Sequence, residues 1–272
     1  DTSGGFQYTI EKIYLRSALL NGVAHGTTAR IKNLDFNGKT ILLGEIDLQR
    51  DSLHIHAKEL SSEKSGDAPI QKNYRHWKIA RIKTLSVSGP LPRQRKEPRM
   101  KNENIQVSFD EINVDNVVVS TSVRSMTLVG TGSGIHVNEV FSSPEGWTHG
   151  DIRGKFSDVL VRSPGLTARV GELDVRFPAE IRAAKMDVLQ NDIMVSLPSL
   201  SIRSIMEREK TWAIKSITST QVMIARNGAQ LLRADSAKVA NVRFAGQSNP
   251  TIESLEVFKP EIFLGNGDRE AM

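Results

Sequence analysis

The sequence predicts an all-β chain: a long antiparallel meander of short hairpins, curled into an elongated groove. Apolar and polar residues alternate in short runs that Gly, Pro, Asn and Asp interrupt, which is typical of half-buried strands. One apolar spacing recurs along the chain, and helical periodicity is almost absent. These patterns together predict about 14 to 18 short strands.

Composition excludes several classes of protein. With 272 residues, the chain is long enough for one elongated domain or two compact ones. Its 39% hydrophobic and 25% charged residues are an ordinary globular balance and exclude disorder and collagen. The lack of cysteine excludes disulfides, thiolate metal sites, iron–sulfur clusters and cysteine nucleophiles.

Hydropathy predicts no membrane-spanning helix, because no unbroken apolar run exceeds four residues. The N-terminus lacks the basic region, apolar segment and cleavage site of a signal peptide. The chain is therefore either a mature protein or a piece of a longer one, and we expect the piece.

The recurring spacing is an apolar residue, a second two positions on, a third five positions later and a fourth after two more. It occurs as Leu34, Phe36, Ile41, Leu43; Ile46, Leu48, Leu53, Ile55; Val159, Val161, Leu166, Ala168; Met186, Val188, Ile193, Val195; Val222, Ile224, Ala229, Leu231; and Leu255, Val257, Ile262, Leu264. Residues two apart share one face of a strand, and a five-residue step leaves room for a turn. The predicted turns are 37–40, 49–52, 162–165, 189–192, 225–228 and 258–261.

Each predicted hairpin has one apolar face, and that face has to be covered. An open sheet rarely exceeds about ten strands without curling or splitting. The sheet can close on itself, split into two sheets that cover each other, or curl into a trough that something else fills. A β-sandwich and a β-solenoid therefore remain alternatives to the groove.

Charge and proline divide the chain into an N-terminal β block (1–89), a basic proline-containing linker or loop (90–104) and a C-terminal β block (105–272) continuous with the first. Residues 72–101 contain ten basic side chains and one acidic side chain. No helix-turn-helix, zinc finger or RNP-like pattern accompanies this charge, so we expect no nucleic-acid partner. The predicted contacts to lipid phosphates or to a partner are Arg93, Arg95, Lys96, Arg99 and Lys101.

Two segments resemble AsmA-like proteins of bacterial envelopes, which include TamB and its relatives. The segment 252–264, IESLEVFKPEIFL, resembles their repeated phrase of a strand, Asn or Lys with Pro, and a second strand. The segment 109–119, FDEINVDNVVV, resembles the variant with Asn in place of Pro. The resemblance implies a periplasmic trough, tethered to the inner membrane outside this chain, that shields acyl chains between membranes.

The residues at the recurring positions are mostly Val, Ile, Leu and Met, which suit alkyl chains better than sugars. We therefore predict a lipid-binding or lipid-transfer segment with phospholipid or another acyl-chain lipid as its partner, and with no cofactor. The predicted lipid contacts are Val159, Val161, Leu166, Val188, Ile193, Val195, Ile224, Leu255, Val257, Ile262 and Leu264. The alternative function is a structural or adhesin-type sandwich or solenoid with a self-filled core.

Motifs for catalysis are weak, and we predict no enzyme. The glycines of Gly130-Thr-Gly132-Ser-Gly134 are expected in a turn, since a dinucleotide fingerprint needs different spacing and a following helix. The carboxylates of Glu172 and Asp174 share a strand face that should be solvated, because apolar residues alternate with them.

Metal and helix signals are equally weak. His54 and His56 lie two apart on a predicted strand, where both should face water, and no third metal ligand is indicated. Around 205–215, good helix formers without a clear apolar face predict the one helix.

Overall fold

The computed structural model describes residues 8–17, 27–36, 39–64, 74–90, 106–123, 125–143, 146–208, 211–245 and 251–263. These residues form β-strands joined by turns, and no helix occurs among them. The strands are β1 (Tyr8–Ser17), β2 (Thr27–Phe36), β3 (Thr40–Arg50), β4 (Leu53–Lys64), β5 (Tyr74–Pro90), β6 (Gln106–Val123), β7 (Met126–Ser143), β8 (Gly146–Thr148), β9 (Ile152–Ser163), β10 (Leu166–Phe177), β11 (Glu180–Gln190), β12 (Ile193–Arg208), β13 (Thr211–Arg226), β14 (Ala229–Ala245) and β15 (Ser254–Ile262). The predicted all-β meander is confirmed.

The chain forms two compact units. Unit 1 comprises Asp1–Arg124 and Thr131–Gly154, and unit 2 comprises Ser125–Gly130 and Lys155–Met272. In unit 1, β1 to β5 pair successively and antiparallel, whereas β5 and β6 pair in parallel. Of the predicted linker, the structure describes only Pro90, the last residue of β5.

In unit 2, each strand from β10 to β14 pairs antiparallel with the next. Within this unit β15 is hydrogen bonded to β14 alone, so the described sheet is open there. Four predicted turns are confirmed, as two-residue turns at 51–52, 164–165, 191–192 and 227–228. Of the turn predicted at 37–40, only Lys39 and Thr40 lie among the described residues.

The turn predicted at 258–261 is wrong, because these residues belong to β15. Pro260 lies opposite Ala234 of β14. Proline lacks an N–H and is tolerated at the edge of a sheet, and β15 is such an edge strand.

The predicted helix over 205–215 is also wrong. Ile205 of β12 lies opposite Ile214 of β13, while Arg208 lies opposite Thr211. The helix formers Glu207 and Arg208 therefore lie at the end of strand β12. Without an apolar helical face, their helix propensity is outweighed by pairing of the two flanking isoleucines on one side of the sheet.

The glycine-rich segment is strand rather than turn, so that prediction is wrong as well. Gly130 and Gly134 both lie within β7. A Cβ atom at Gly130 would lie 3.3 Å from Val159 Cγ2, and Gly134 has φ +58°. Glycine is suited to both positions, because it permits close approach of a neighbour and a left-handed backbone.

Kinks explain how one apolar face continues along these long strands. Lys185, Gln221 and Lys259 lie within alternate strands of unit 2 and have φ values of +55°, +51° and +48°. At each kink the alternation of side chains between the two sides of the sheet shifts by one residue. In β11, Ala183 before the kink and Met186 after it therefore lie on the same side, and these residues are buried and half-buried. A five-residue interval therefore arises from a step of two and a kinked step of three, as well as from a turn.

The buried core consists mainly of alanine and valine, with Leu53 and Ile205 as its larger members. In unit 2 it contains Val170, Ala183, Ile205, Val222, Ala225, Ala234 and Val242. Among the described residues, no large side chain is fully buried. The structure also contains, over the same residues, no helix of the length and apolar character needed to cross a membrane.

Candidate functional site

One side of unit 2 carries apolar residues in rows that run across the strands; we call it the apolar face. Residues directly opposite each other in a sheet project to the same side. The row nearest the turns between strands is Val188, Val195, Ile224, Leu232 and Ile262. A second row is Ala183, Leu200, Ser219, Ala237 and Val257, and a third is Ile181, Ile202, Ile217, Val239 and Leu255. The apolar face is therefore continuous over five strands.

Most predicted lipid contacts lie on the apolar face. The first row contains Val188, Val195, Ile224 and Ile262, while Val257 and Leu255 end the other two. Leu166 and Ile193 flank Gln190 in the neighbouring row. Val159 and Val161 lie on β9 and are half-buried, and Leu264 lies outside the described residues.

The apolar face remains open to solvent in part. Towards the sheet edge the side chains of Leu255 and Ile262 are 64% and 68% exposed, whereas Ala234, inside the sheet, is 1% exposed. The strands from β10 to β15 make their contacts with the strands to which they are hydrogen bonded. Among strands β10 to β15, therefore, none forms a second layer on the apolar face.

The opposite side of unit 2 is polar. One of its rows is Asp174, Arg182, Ser201, Thr218, Lys238 and Glu256, and another is Glu172, Ala184, Ser199, Thr220, Ser236 and Phe258. A depression of about 770 Å³ is lined by residues of these two rows and also by the second row of the apolar face, Ala183, Leu200, Ser219, Ala237 and Val257. Of the predicted lipid contacts, only Val257 lines it. As the sequence predicts, Glu172 and Asp174 lie on this polar side.

An ion-pair cluster lies at one end of the polar side. Arg182 and Arg203 contact the Glu180 carboxylate at 2.8 and 2.9 Å, and Ser201 donates a hydrogen bond to it at 2.9 Å. Hydrogen bonds from Arg182, then Arg203 and Ser201, lower the pKa of Glu180 to about 2. This carboxylate therefore stays ionised at neutral pH and fixes the two guanidinium groups at the start of β11.

The two predicted histidines differ in surroundings. His54 is exposed, in agreement with the prediction, but His56 is half-buried and its Nδ1 lies 2.5 Å from Asp47 Oδ1. Glu45 Oε1 lies 3.9 Å from the same nitrogen. Sequence reasoning missed both carboxylates. Pairing β3 with β4 through the two-residue turn at 51–52 places Asp47 opposite His56 and would have identified one of them.

The predicted headgroup contacts Arg93, Arg95, Lys96, Arg99 and Lys101 lie outside the described residues. Part of the basic segment is described, in β5, where Lys83 contacts both oxygens of Glu59 at 2.7 and 2.8 Å. At least this cation is therefore paired within the sheet.

When the chain is compared with protein-family models, with curated proteins and with solved structures, none of them matches it.

Proposed function

We propose that the chain binds acyl-chain lipids on the apolar face of unit 2. The observation that carries the proposal is an apolar face, continuous over five strands, on which none of the strands β10 to β15 forms a second layer. A self-filled sandwich would bury large aliphatic side chains. Among the described residues of this chain, no large side chain is fully buried.

The chemistry of the apolar face favours alkyl chains over other ligands. Its rows consist mainly of Val, Ile, Leu and Ala, with Ser219 as the polar exception. Such side chains offer dispersion contacts and burial of apolar area, worth about 25 cal/mol per Å², and no directional hydrogen bonds. Weak contacts repeated along a surface also allow a bound chain to slide, which transfer between membranes requires.

The proposal also includes the cellular location of the chain and the transfer of lipid between membranes. The resemblance of 109–119 and 252–264 to AsmA-like proteins supports a role in the bacterial envelope, with a membrane tether outside this chain. Lipid transfer between membranes, rather than storage, rests on that resemblance. No catalytic step forms part of the proposal.

Two matched pairs of substitutions test it. Val188 and Val195 oppose each other on the apolar face, and Leu189 and Met194 oppose each other one residue away on the polar side. The variants V188D/V195D and L189D/M194D therefore introduce equal charge, equally paired, into one hairpin. The measurement is the lipid recovered by organic extraction and mass spectrometry from each folded, monomeric protein.

We expect wild type and L189D/M194D to retain lipid and V188D/V195D to lose most of it, because two carboxylates repel an alkyl chain from the apolar face. Circular dichroism should show both variants folded. Failure of V188D/V195D alone to fold would indicate a closed core and a self-filled protein. Absence of lipid from folded wild type, or equal retention by both variants, would also contradict the proposal.

A further inference from the structure

A second site, in unit 1, is suggested by three metal-ligating side chains that converge on the β3–β4 hairpin. Asp47 and His56 face each other across the hairpin, and Glu45 lies two residues before Asp47 on the same side of β3. One ligand atom from each of the three lies within 4.8 Å of the others. We propose that Glu45, Asp47 and His56 bind one divalent transition-metal ion of the zinc class.

The spacing of the ligand atoms fits such an ion after small rotations of the side chains. A tetrahedral zinc ion with bonds of about 2.0 to 2.2 Å holds its ligand atoms about 3.3 Å apart. His56 Nδ1 lies 2.5 Å from Asp47 Oδ1 and 3.9 Å from Glu45 Oε1, which brackets that separation. All three side chains are about a quarter exposed, so they have room to adjust and a solvent molecule can reach the fourth position.

Lys32 leaves the proposed ligand atoms accessible. Its Nζ contacts Oε2 of Glu45, whereas Oε1 is the oxygen turned towards His56. The ammonium group neutralises part of the carboxylate charge and therefore opposes a divalent cation. Replacing Lys32 by Gln should consequently strengthen metal binding, although the same change removes an ion pair from the sheet.

The ligand types select the class of ion. One imidazole nitrogen and two carboxylate oxygens suit zinc, cobalt and nickel, whereas magnesium and calcium prefer oxygen ligands alone. Three protein ligands leave one coordination position for water or another small molecule. This site lies in unit 1, so its test is independent of lipid binding in unit 2.

The test uses untagged, chelator-treated protein and titration calorimetry with zinc chloride, with magnesium chloride as the comparison salt. We expect one zinc equivalent per chain, no heat from magnesium, and affinity reduced by about tenfold or more in H56A and in D47N. H54A is the matched control, since His54 lies two residues away on the same strand outside the cluster. K32Q should bind zinc more tightly than wild type, and cobalt should give a visible absorption band that H56A lacks.

Two results would overturn the inference. One is wild type that binds no zinc, which would leave the cluster as an ion-pair network only. The other is an equal loss in H54A and H56A with D47N unaffected, which would place the ion on the two histidines. Because D47N and K32Q change no apolar contact, they keep the test valid even if H56A does not fold.

Discussion

Glycine substitution normally destabilises a β-strand, but at the kinks within the strands of unit 2 we expect it to leave stability unchanged or to raise it. Lys185 lies in the middle of β11 with φ +55°. Arg169, on β10, is also an exposed cation but has no left-handed backbone. The perturbation is glycine at each position, K185G and R169G.

The expected magnitudes follow from the backbone. A side chain in the left-handed region costs about 1–2 kcal/mol relative to the ordinary regions. Glycine removes that cost but loses about 0.5–1 kcal/mol through the greater freedom of the unfolded chain. K185G should therefore change the free energy of unfolding by about 0 to +1.5 kcal/mol. R169G should lose about 1 kcal/mol, since its strand position rewards a side chain.

Thermal unfolding followed by circular dichroism measures the difference. For chains of this size, 1 kcal/mol corresponds to about 2–4 °C in Tm, so K185G should melt above R169G by at least about 2 °C. If K185G loses as much stability as R169G, the left-handed kink does not constrain residue 185, and the account of the five-residue interval is wrong.

Two further predictions concern pH and close packing. The pKa of Glu180 is lowered to about 2 by its arginine partners, and below its unfolded value of about 4.5 the unfolded chain binds more protons. Stability should therefore fall as the pH drops from about 4.5 through about 2, and urea unfolding of E180Q should show a shallower fall over that window. G89A should be about 1–3 kcal/mol less stable than G134A: both glycines have positive φ, but a Cβ atom at Gly89 would lie 1.8 Å from Ser52 O, while one at Gly134 meets nothing within 4 Å. Equal melting temperatures for the two alanine variants would contradict this packing argument.

The strand content could be predicted from the sequence, because a strand with one apolar face alternates apolar and polar residues. Turn residues such as Asn227 and Gly228 mark the hairpins. The kinks could not, since Lys185 and Gln221 have no intrinsic preference for a left-handed backbone. At 255–262 the same five-residue interval contains a kink instead of a turn. The parallel pairing of β5 with β6 was likewise hidden, because alternation carries no information on strand direction.

The apolar face was predictable to the extent that its residues recur in sequence. Val188 and Val195 emerged from the spacing and lie directly opposite each other. The cluster around His56 was not predicted, because its ligands come from two strands whose register depends on the turn at 51–52. The four-residue loop predicted at 49–52 would place Glu45 opposite His56, whereas the observed two-residue turn places Asp47 there.

The contacts of unit 2, which link each strand mainly to its two hydrogen-bonded neighbours, affect how it should open. Such nearest-neighbour coupling gives stability that accumulates strand by strand rather than through one shared interior. Backbone amides of β15, supported by β14 alone, should exchange with deuterium fastest, and protection should rise steadily towards β12. Unit 2 should therefore unfold gradually from the edge formed by β15. Simultaneous loss of protection at all amides would contradict this expectation.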